Sequence, residues 1–359
     1  MPDVSELRTL QKQHGAIFDE QSDSADSGPL HFGNPHFEYS AARTEAALFD
    51  FSDRTQLELT GKDRAKFLHN FCTNDVRALP AGSGCEAFVT NVQGKVLGHI
   101  FAFAGDESLF VESVPHTAER LIGHLSRYQI SEDVEFHDRS PELATFFLTG
   151  PESPVILARL GVDCADLVSL QYRRCLFGEI PVHVRRNDLT RLPGYMLVVP
   201  RQLAAMLWKQ FTDRGVRLAG SAAWKSLRIN ACFPEYGVDF TDENLAQEVN
   251  RTSTAISFSK GCYLGQEPIA RIDALGHVNR QLRGIRLGSG LLPVAGCEVV
   301  SADADARTIG QITSAAISLD NDMTVALAMM RRNFDSPGLQ IQVRIGTDVI
   351  PGVLFWSEK

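Results

Sequence analysis

Residues Leu57–Phe71 read LELTGKDRAKFLHNF, and residues Phe146–Leu160 read FFLTGPESPVILARL. Both run from an apolar strand pattern through Leu-Thr-Gly into a helical pattern. After Gly61, apolar side chains fall at Phe67, Leu68 and Phe71. After Gly150 they fall at Ile156, Leu157 and Leu160, the same three offsets. These spacings put one apolar stripe on each helix, so each copy turns one face inward.

A second pair follows in the same order. LFVESVPHTAERLIGHL (Leu109–Leu125) carries Val114-Pro115 and then Leu121, Ile122 and Leu125. YMLVVPRQLAAMLWKQF (Tyr195–Phe211) carries Val199-Pro200 and then Met206, Leu207 and Phe211. Each is a strand, a Val-Pro and an amphipathic helix, and proline suits a helix's first turn. Between the members of the first copy, GCEAFVTNVQGKVLGHIFAF (Gly84–Phe103) reads as a hairpin turning near Gln93-Gly94. Two pairs in one order predict a duplication: two related α+β halves, about 40–140 and 141–215, each a sheet with helices on one face. A pseudo-symmetric pair leaves a cleft between its halves, a common place for a ligand.

Outside the repeat, a short helix is predicted near Ser5–His14 and a flexible loop at Gln21–Gly28, where no apolar period exists. Another helix is expected at Ala222–Ile229. From about Gln281 short strands alternate with Gly, Asp and Ser turns: LRGIRLGSG, CEVVSADADARTIGQITSAAIS, TVALAMM and LQIQVRIGTDVIPGVLFW. About six strands in so short a length predict a small antiparallel β-barrel. The domain division expected is 1–275, with a connecting segment 216–275, and 276–359.

The 359 residues carry 35 basic and 44 acidic side chains, a net charge of −9. Such a chain lacks the broad basic field that duplex nucleic acid requires, though local arginines can hold a small anion. No apolar run is long enough for a membrane span. The start, MPDVSELRTL, has early acids and no basic-then-apolar pattern, which argues against a signal or transit peptide. Seven cysteines without a C-x-x-C pair fit a reducing cytoplasm better than a disulfide framework. There is no G-x-G-x-x-G after a strand, no P-loop, no H-E-x-x-H, and no metal-ligand spacing of histidines. Cys72, Cys85, Cys164, Cys175, Cys232 and Cys297 are scattered and read individually as structural.

The densest chemistry lies in SFSKGCYLGQEPIAR, Ser257–Arg271. Gly261 and Gly265 permit tight or left-handed backbone. Pro268 is tolerated only in a helix's first turn, so a helix is predicted from near Leu264 through Ile269 and Ile272. Glu267 and Arg271 then form an i,i+4 pair. Cys262 would stand at that helix's N-terminus with Lys260 close by, and both features favour thiolate. Two readings follow: a nucleophilic, redox-active or metal-binding cysteine, or a small buried residue of the kind free cysteine commonly is.

Lys260-Gly261-Cys262-Tyr263-Leu264-Gly265-Gln266-Glu267 resembles the signature of the YgfZ-type folate-binding proteins. These are relatives of the glycine cleavage T-protein (GcvT), the tetrahydrofolate-dependent aminomethyltransferase. The resemblance extends over nearly the whole chain. ALFDFSDRTQLELTGKDRAKFLHNFCTNDV (Ala47–Val76), SLRINACFPEYGVDF (Ser226–Phe240) with LAQEVN (Leu245–Asn250), and RTIGQITSAAIS (Arg307–Ser318) with VALAMM are similar to segments of those families in the same order. It implies a GcvT-like α+β fold: two pseudo-repeated, ferredoxin-like halves around a folate cleft, plus the small barrel. It further implies tetrahydrofolate binding, a role in assembly or repair of iron–sulfur enzymes, and Cys262 as the thiol that carries the chemistry.

Two departures separate this chain from the T-protein. Where that enzyme is expected to carry an acidic pair with a catalytic aspartate, this chain has Gly98 and His99. Neither can supply a carboxylate's charge. Where the T-protein has a pterin-binding glutamate in an Arg-x-Glu segment, Arg228 is followed at that distance by Asn230, an amide without charge. The remaining folate-site candidates are Asn91, Gln93 and Lys95 on the hairpin, expected to face the cleft, Tyr236 and Glu248 in the loops, and Arg271 with Lys260 for the glutamate tail. The expected function is a cytoplasmic tetrahydrofolate-binding protein with iron–sulfur assembly proteins or client enzymes as partners, Cys262 as its reactive thiol and Lys260 as electrostatic partner. The alternatives are a one-carbon (aminomethyl) transferase of the T-protein type, and a non-enzymatic partner protein whose cleft is vestigial.

Overall fold

The computed structural model describes residues 4–19, 27–288, 291–319 and 323–355; the loop predicted at Gln21–Gly28 falls outside them up to Asp26. The chain divides into two compact units. One holds residues 1–69, 75–87 and 100–224, and the other holds 70–74, 88–99 and 225–359.

The first unit begins with helices α1 (Val4–Gln13) and α2 (Pro35–Thr44). It continues through β1 (Ala47–Asp50), β2 (Thr55–Thr60), α3 (Arg64–His69), β3 (Gly84–Thr90), β4 (Val96–Ala104), β5 (Leu109–Ser113), α4 (Ala118–Ser126) and β6 (Glu135–Asp138). Next come β7 (Leu143–Thr149), α5 (Ser153–Arg159), β8 (Tyr172–Phe177), β9 (Ile180–Arg186), β10 (Gly194–Pro200), α6 (Ala204–Thr212), β11 (Arg217–Ala219) and the start of α7 (Ser221–Asn230). Of β3 and β4, residues 88–90 and 96–99 belong to the second unit.

The duplication is visible in the topology. One sheet has the order β3-β4-β5-β2-β6 and the other β8-β9-β10-β7-β1-β11. The two orders match strand for strand once β1 is removed. β6 lies antiparallel to β2; β11 keeps that sense relative to β7 because the inserted β1 is antiparallel to β7 and parallel to β11. The shared Leu-Thr-Gly has one cause in both copies. Gly61 has φ +90 and Gly150 φ +134, and a Cβ there would stand 2.2 Å from the Asp133 carbonyl oxygen and 2.5 Å from that of Glu45. Only glycine turns the strand into its helix at such approach.

The second copy's helix corrects the sequence reading by one position. Leu207, Trp208 and Phe211 are buried, whereas Met206 is exposed. Trp208 packs its ring 5.1 Å from that of Phe146, and burying a side chain such as Phe211 contributes about 2–3 kcal/mol. The Val-Pro pairs precede the helices rather than opening them, since α4 starts at Ala118 and α6 at Ala204.

The second unit holds most of α7, then α8 (Thr252–Ala255), α9 (Gln266–Leu275) and strands β12 (Arg280–Leu287), β13 (Glu298–Ser301), β14 (Thr308–Ile317), β15 (Thr324–Arg331), β16 (Gln340–Ile345) and β17 (Asp348–Phe355). These six close into a barrel in the order β12-β15-β14-β13-β16-β17, every pairing antiparallel, as the alternation of short strands and turns predicts. Ile285, Val299, Ile312, Ala328 and Val343 fill it. A smaller cluster seats Ile229 of α7 on Leu282, Val325 and Leu327.

Candidate functional site

The hairpin expected at Gln93-Gly94 is present. Asn91 Oδ1 accepts from the backbone N–H groups of Gln93 (2.9 Å) and Lys95 (3.1 Å), and Gly94 at φ +72 donates to the Asn91 carbonyl at 3.0 Å. Asn91 therefore builds the turn, while among the described residues the side chains of Gln93 and Lys95 make no hydrogen bond or ion pair. The base of the hairpin is bridged to the 244–248 segment: Lys95 pairs with Leu245, and Val96 N–H donates to the Asn244 carbonyl at 2.9 Å.

The same hairpin carries the cysteine motif. Thr90 Oγ1 donates to the Leu264 carbonyl at 2.7 Å, and Leu264 N–H donates to the Asn70 carbonyl at 2.8 Å. Gly265, the N-cap of α9 at φ +85, lies so near the turn that a Cβ would stand 2.3 Å from the Asn91 oxygen. Lys260 is buried, and its ammonium donates to the carbonyls of Cys72 (2.7 Å) and Asn74 (2.9 Å), with the Tyr263 ring centroid 4.7 Å away. Burial pushes the Tyr263 hydroxyl's pKa upward, with Cys72 adding to it.

Cys262 is exposed, which removes the reading of a small buried residue. Among the described residues its Sγ makes no hydrogen bond, and the Lys260 ammonium, its expected electrostatic partner, donates to the carbonyls of Cys72 and Asn74. Helix α9 starts at Gln266, two residues later than predicted, so Cys262 precedes its first turn. Glu267 and Arg271 share the helix but make no ion pair; both side chains are exposed. Among the described residues no group of three or more His, Cys, Asp or Glu side chains is placed to hold a metal ion.

The remaining candidates divide by what they already bond. Glu248 is buried and committed: Oε2 accepts from Asn244 Nδ2 (2.9 Å) and Leu245 N–H (3.2 Å), Oε1 from Arg280 Nε (3.0 Å). Arg228 is likewise committed to Asp239 (2.6 Å), Glu235 (2.9 Å) and the Phe233 carbonyl (3.3 Å). Asn230 Nδ2 donates to the Ser226 carbonyl one helical turn back at 3.0 Å. Tyr236 is buried beside Phe240, ring centroids 5.5 Å apart. At the position where a carboxylate is wanting, the His99 ring is buried against Phe88 (5.0 Å), Phe233 (5.9 Å) and Phe240 (5.9 Å).

A cavity within the first unit is lined by residues of both halves, and its lining does not include the predicted site residues. It is a cavity of about 220 Å³ bounded by Gln56, Glu58, Phe110, Arg139, His183 and Arg185, among others. Arg185 is buried there, donating to Gln56 Oε1 at 2.8 Å and approaching Glu112 at 3.4 Å. Burial, aided by Arg185 and Arg174, pushes His183 down to about 3.

Sequence reading missed Asp239, Asn244 and Gln247. Asp239 accepts from Arg228 with one oxygen and from Thr313 (2.8 Å) and Ser314 (2.5 Å) of β14 with the other. Gln247 is buried, donates to the Ile269 carbonyl at 2.7 Å, and leaves its Oε1 without a partner. No local spacing marks Asp239 and Gln247, whose partners Arg228, Ile269 and Ser314 lie 11, 22 and 75 positions away, while Asn244 bonds Glu248 four positions on.

Residues 10–260 match the sequence model of the GCVT N-terminal domain, and residues 280–355 that of the glycine cleavage T-protein C-terminal barrel domain. The aminomethyltransferase of Streptomyces coelicolor is 26% identical over 96% of this chain and 94% of that protein. A chloroplastic protein of Arabidopsis thaliana described as a transferase is 28% identical over 79% of this chain; the alignment spans 65% of that relative. The crystal structure of aminomethyltransferase T from Bartonella henselae superposes with a TM-score of 0.87 over 97% of this chain and 95% of that one, at 19% identity, a likeness of fold. Among the described residues no helix is long and apolar enough to cross a membrane.

Proposed function

This chain belongs to the glycine cleavage T-protein family, and from that premise we propose that it binds tetrahydrofolate and acts through the Cys262 thiol rather than through a carboxylate. The observation that carries the proposal is Cys262 itself. Its side chain is exposed and unbonded, while Lys260 and Leu264 on either side are anchored. A thiol presented from a rigid support suits attack on, or transfer to, a partner in solution. The transferase alternative needs negative charge near the reacting carbon, and Gly98 and His99 stand where its carboxylates are expected.

The residues present fit one part of the ligand better than another. Among the described residues Lys95 and Arg271 have no acidic partner, and they stand on adjoining elements, since a Cβ on Gly94 would lie 3.3 Å from Ile269 and Pro268 of α9. They would meet the anionic glutamate tail. Gln93, Asn230 and Tyr236 would meet the pterin, the bound cofactor supplying a one-carbon carrier. Arg228, Glu248, Asn91 and Lys260 would support the site from behind. The finer role proposed is assembly or repair of iron–sulfur enzymes in the cytoplasm, with assembly proteins or client enzymes as partners.

The test is thermal unfolding against rising tetrahydrofolate, kept reduced, alongside an iron–sulfur enzyme activity in cells lacking the protein. A saturable rise of a few degrees at about 100 times the dissociation constant supports the folate site. Loss of the activity with Cys262→Ser, at normal stability, supports the thiol. An active serine variant overturns it, and aminomethyl transfer to tetrahydrofolate by the purified protein would favour the transferase reading.

A further inference from the structure

Two cysteines unrelated to the motif come together in the first unit. Cys164 lies in the segment between α5 and β8, and Cys175 lies within β8; their sulfurs are 3.9 Å apart. Cys164 is fully buried in the core of the six-stranded sheet, whereas Cys175 is partly exposed. β8 is the sheet's edge strand, paired along its length with β9, and Cys175 on it is partly open to solvent.

The loop and strand carrying the two thiols are already tied together. Arg173 of β8 donates to the Asp163 carbonyl at 2.8 Å and grips Asp166 with two bonds of 3.1 and 2.6 Å. Tyr195 donates to the Cys164 carbonyl at 3.5 Å. These contacts hold the loop against the strand with the two sulfurs 3.9 Å apart, against about 2.05 Å in a disulfide. The Cys164 hydrogen bond lowers the pKa of Cys175 against the effect of burial, and Arg173 adds to the lowering; Cys164 is raised by the same bond and by burial. The exposed member is thus the better nucleophile and the buried member the resolving thiol.

We infer that Cys164 and Cys175 form a redox site, a dithiol that a peroxide closes to an intramolecular disulfide and a small dithiol reductant reopens. Cys175 sulfur attacks the peroxide: an S–O bond forms, the O–O bond breaks, and the departing oxygen takes the thiol proton to leave as water or an alcohol. The sulfenic acid on Cys175 is then attacked by Cys164. The S–S bond forms, the S–O bond breaks, and the Cys164 proton leaves with the hydroxyl as water. The dithiol loses two electrons and the peroxide gains them. This site is separate from the Cys262 proposal and independent of it.

The test treats the intact, reduced protein with hydrogen peroxide, alkylates free thiols under denaturing conditions, and maps the peptides by mass. The expected result is a linked peptide pair containing Cys164 and Cys175, lighter by two hydrogens, protected from alkylation and recovered by dithiothreitol. Cys175→Ser, a change at a partly exposed site, should leave Cys164 alkylatable in a protein whose melting under reducing conditions matches wild type. Oxidation of Cys175 to sulfinic acid without the linked peptide would overturn the inference. So would full alkylation of both cysteines at a peroxide excess that oxidises Cys262.

Discussion

Arg228 Nη1 lies 2.6 Å from Asp239 Oδ2, and neither side chain is exposed by more than 3%. Removing one partner of a buried pair strands the other's charge, which costs far more than the pair contributes. Asp239→Ala also removes the acceptor that Thr313 and Ser314 share, leaving Thr313 with the Leu327 carbonyl at 3.1 Å. The expected loss is about 3–5 kcal/mol in denaturant unfolding. A loss below about 1 kcal/mol would mean that Glu235, 2.9 Å from Arg228 Nε, suffices alone.

Gly265→Ala meets two obstacles at once: a backbone at φ +85 and a Cβ 2.3 Å from the Asn91 oxygen. About 2–4 kcal/mol of destabilisation is expected, together with weaker folate binding because the Asn91–Lys95 turn must retreat. Unchanged stability would show that the turn yields without cost.

Lys260 and Cys262 should separate in their effects. Lys260→Met removes two donors to buried carbonyls and is expected to lower stability by about 1.5–3 kcal/mol. Cys262→Ser touches no partner and should change stability by less than about 0.5 kcal/mol while abolishing the proposed activity. Equal destabilisation by both would assign the cysteine to the fold.

Lys95→Ala and Arg271→Ala each remove a cation that the fold does not use. Each is expected to weaken tetrahydrofolate binding by about tenfold with the unliganded melting temperature unmoved. A triglutamylated folate should feel the changes more than a monoglutamate, since its tail carries more charge. Titration calorimetry giving wild-type affinity for both variants would remove the tail from this surface.

Asp53 sets a pH dependence. Burial, with the Asp50 charge beside it, pushes its carboxyl up to about 6 from an ordinary 3.8. A folded pKa above the unfolded one means that the native state holds the proton longer. Its contribution is fully present below about pH 4 and is lost as pH rises through 6. At pH 7 the ionised carboxylate is a burden, so Asp53→Asn should stabilise by about 2 kcal/mol and by little at pH 4. Melts of both proteins across that range check the sign; a larger gain at pH 4 than at pH 7 would refute it.

Much of the architecture was legible because its causes are local. Leu-Thr-Gly before a 3.6-residue apolar period marks a strand turning into a helix, and it does so twice because Gly61 and Gly150 meet the same left-handed requirement. The barrel was legible because period-two patterns broken by Gly and Asp turns are local too. The one-position error in α6 arose because Met206 and Trp208 are both apolar and flank Leu207; packing on Phe146 chooses Trp208.

The sequence by itself determined the duplicated halves, the barrel, the hairpin turn and the position of an unusual cysteine. Only the tertiary structure decided which polar side chains are spent and which are free. Lys260 is two residues from Cys262 in the chain, yet its ammonium binds carbonyls 188 and 186 positions away. Glu248 and Arg228 have the chemistry of ligand-binding residues, yet Arg280 and Asp239 claim them. Cys164 and Cys175 look scattered in sequence, yet they lie 3.9 Å apart. Desolvation obliges a buried charge or donor to find its partner in three dimensions, and local spacing carries no record of where that partner will be.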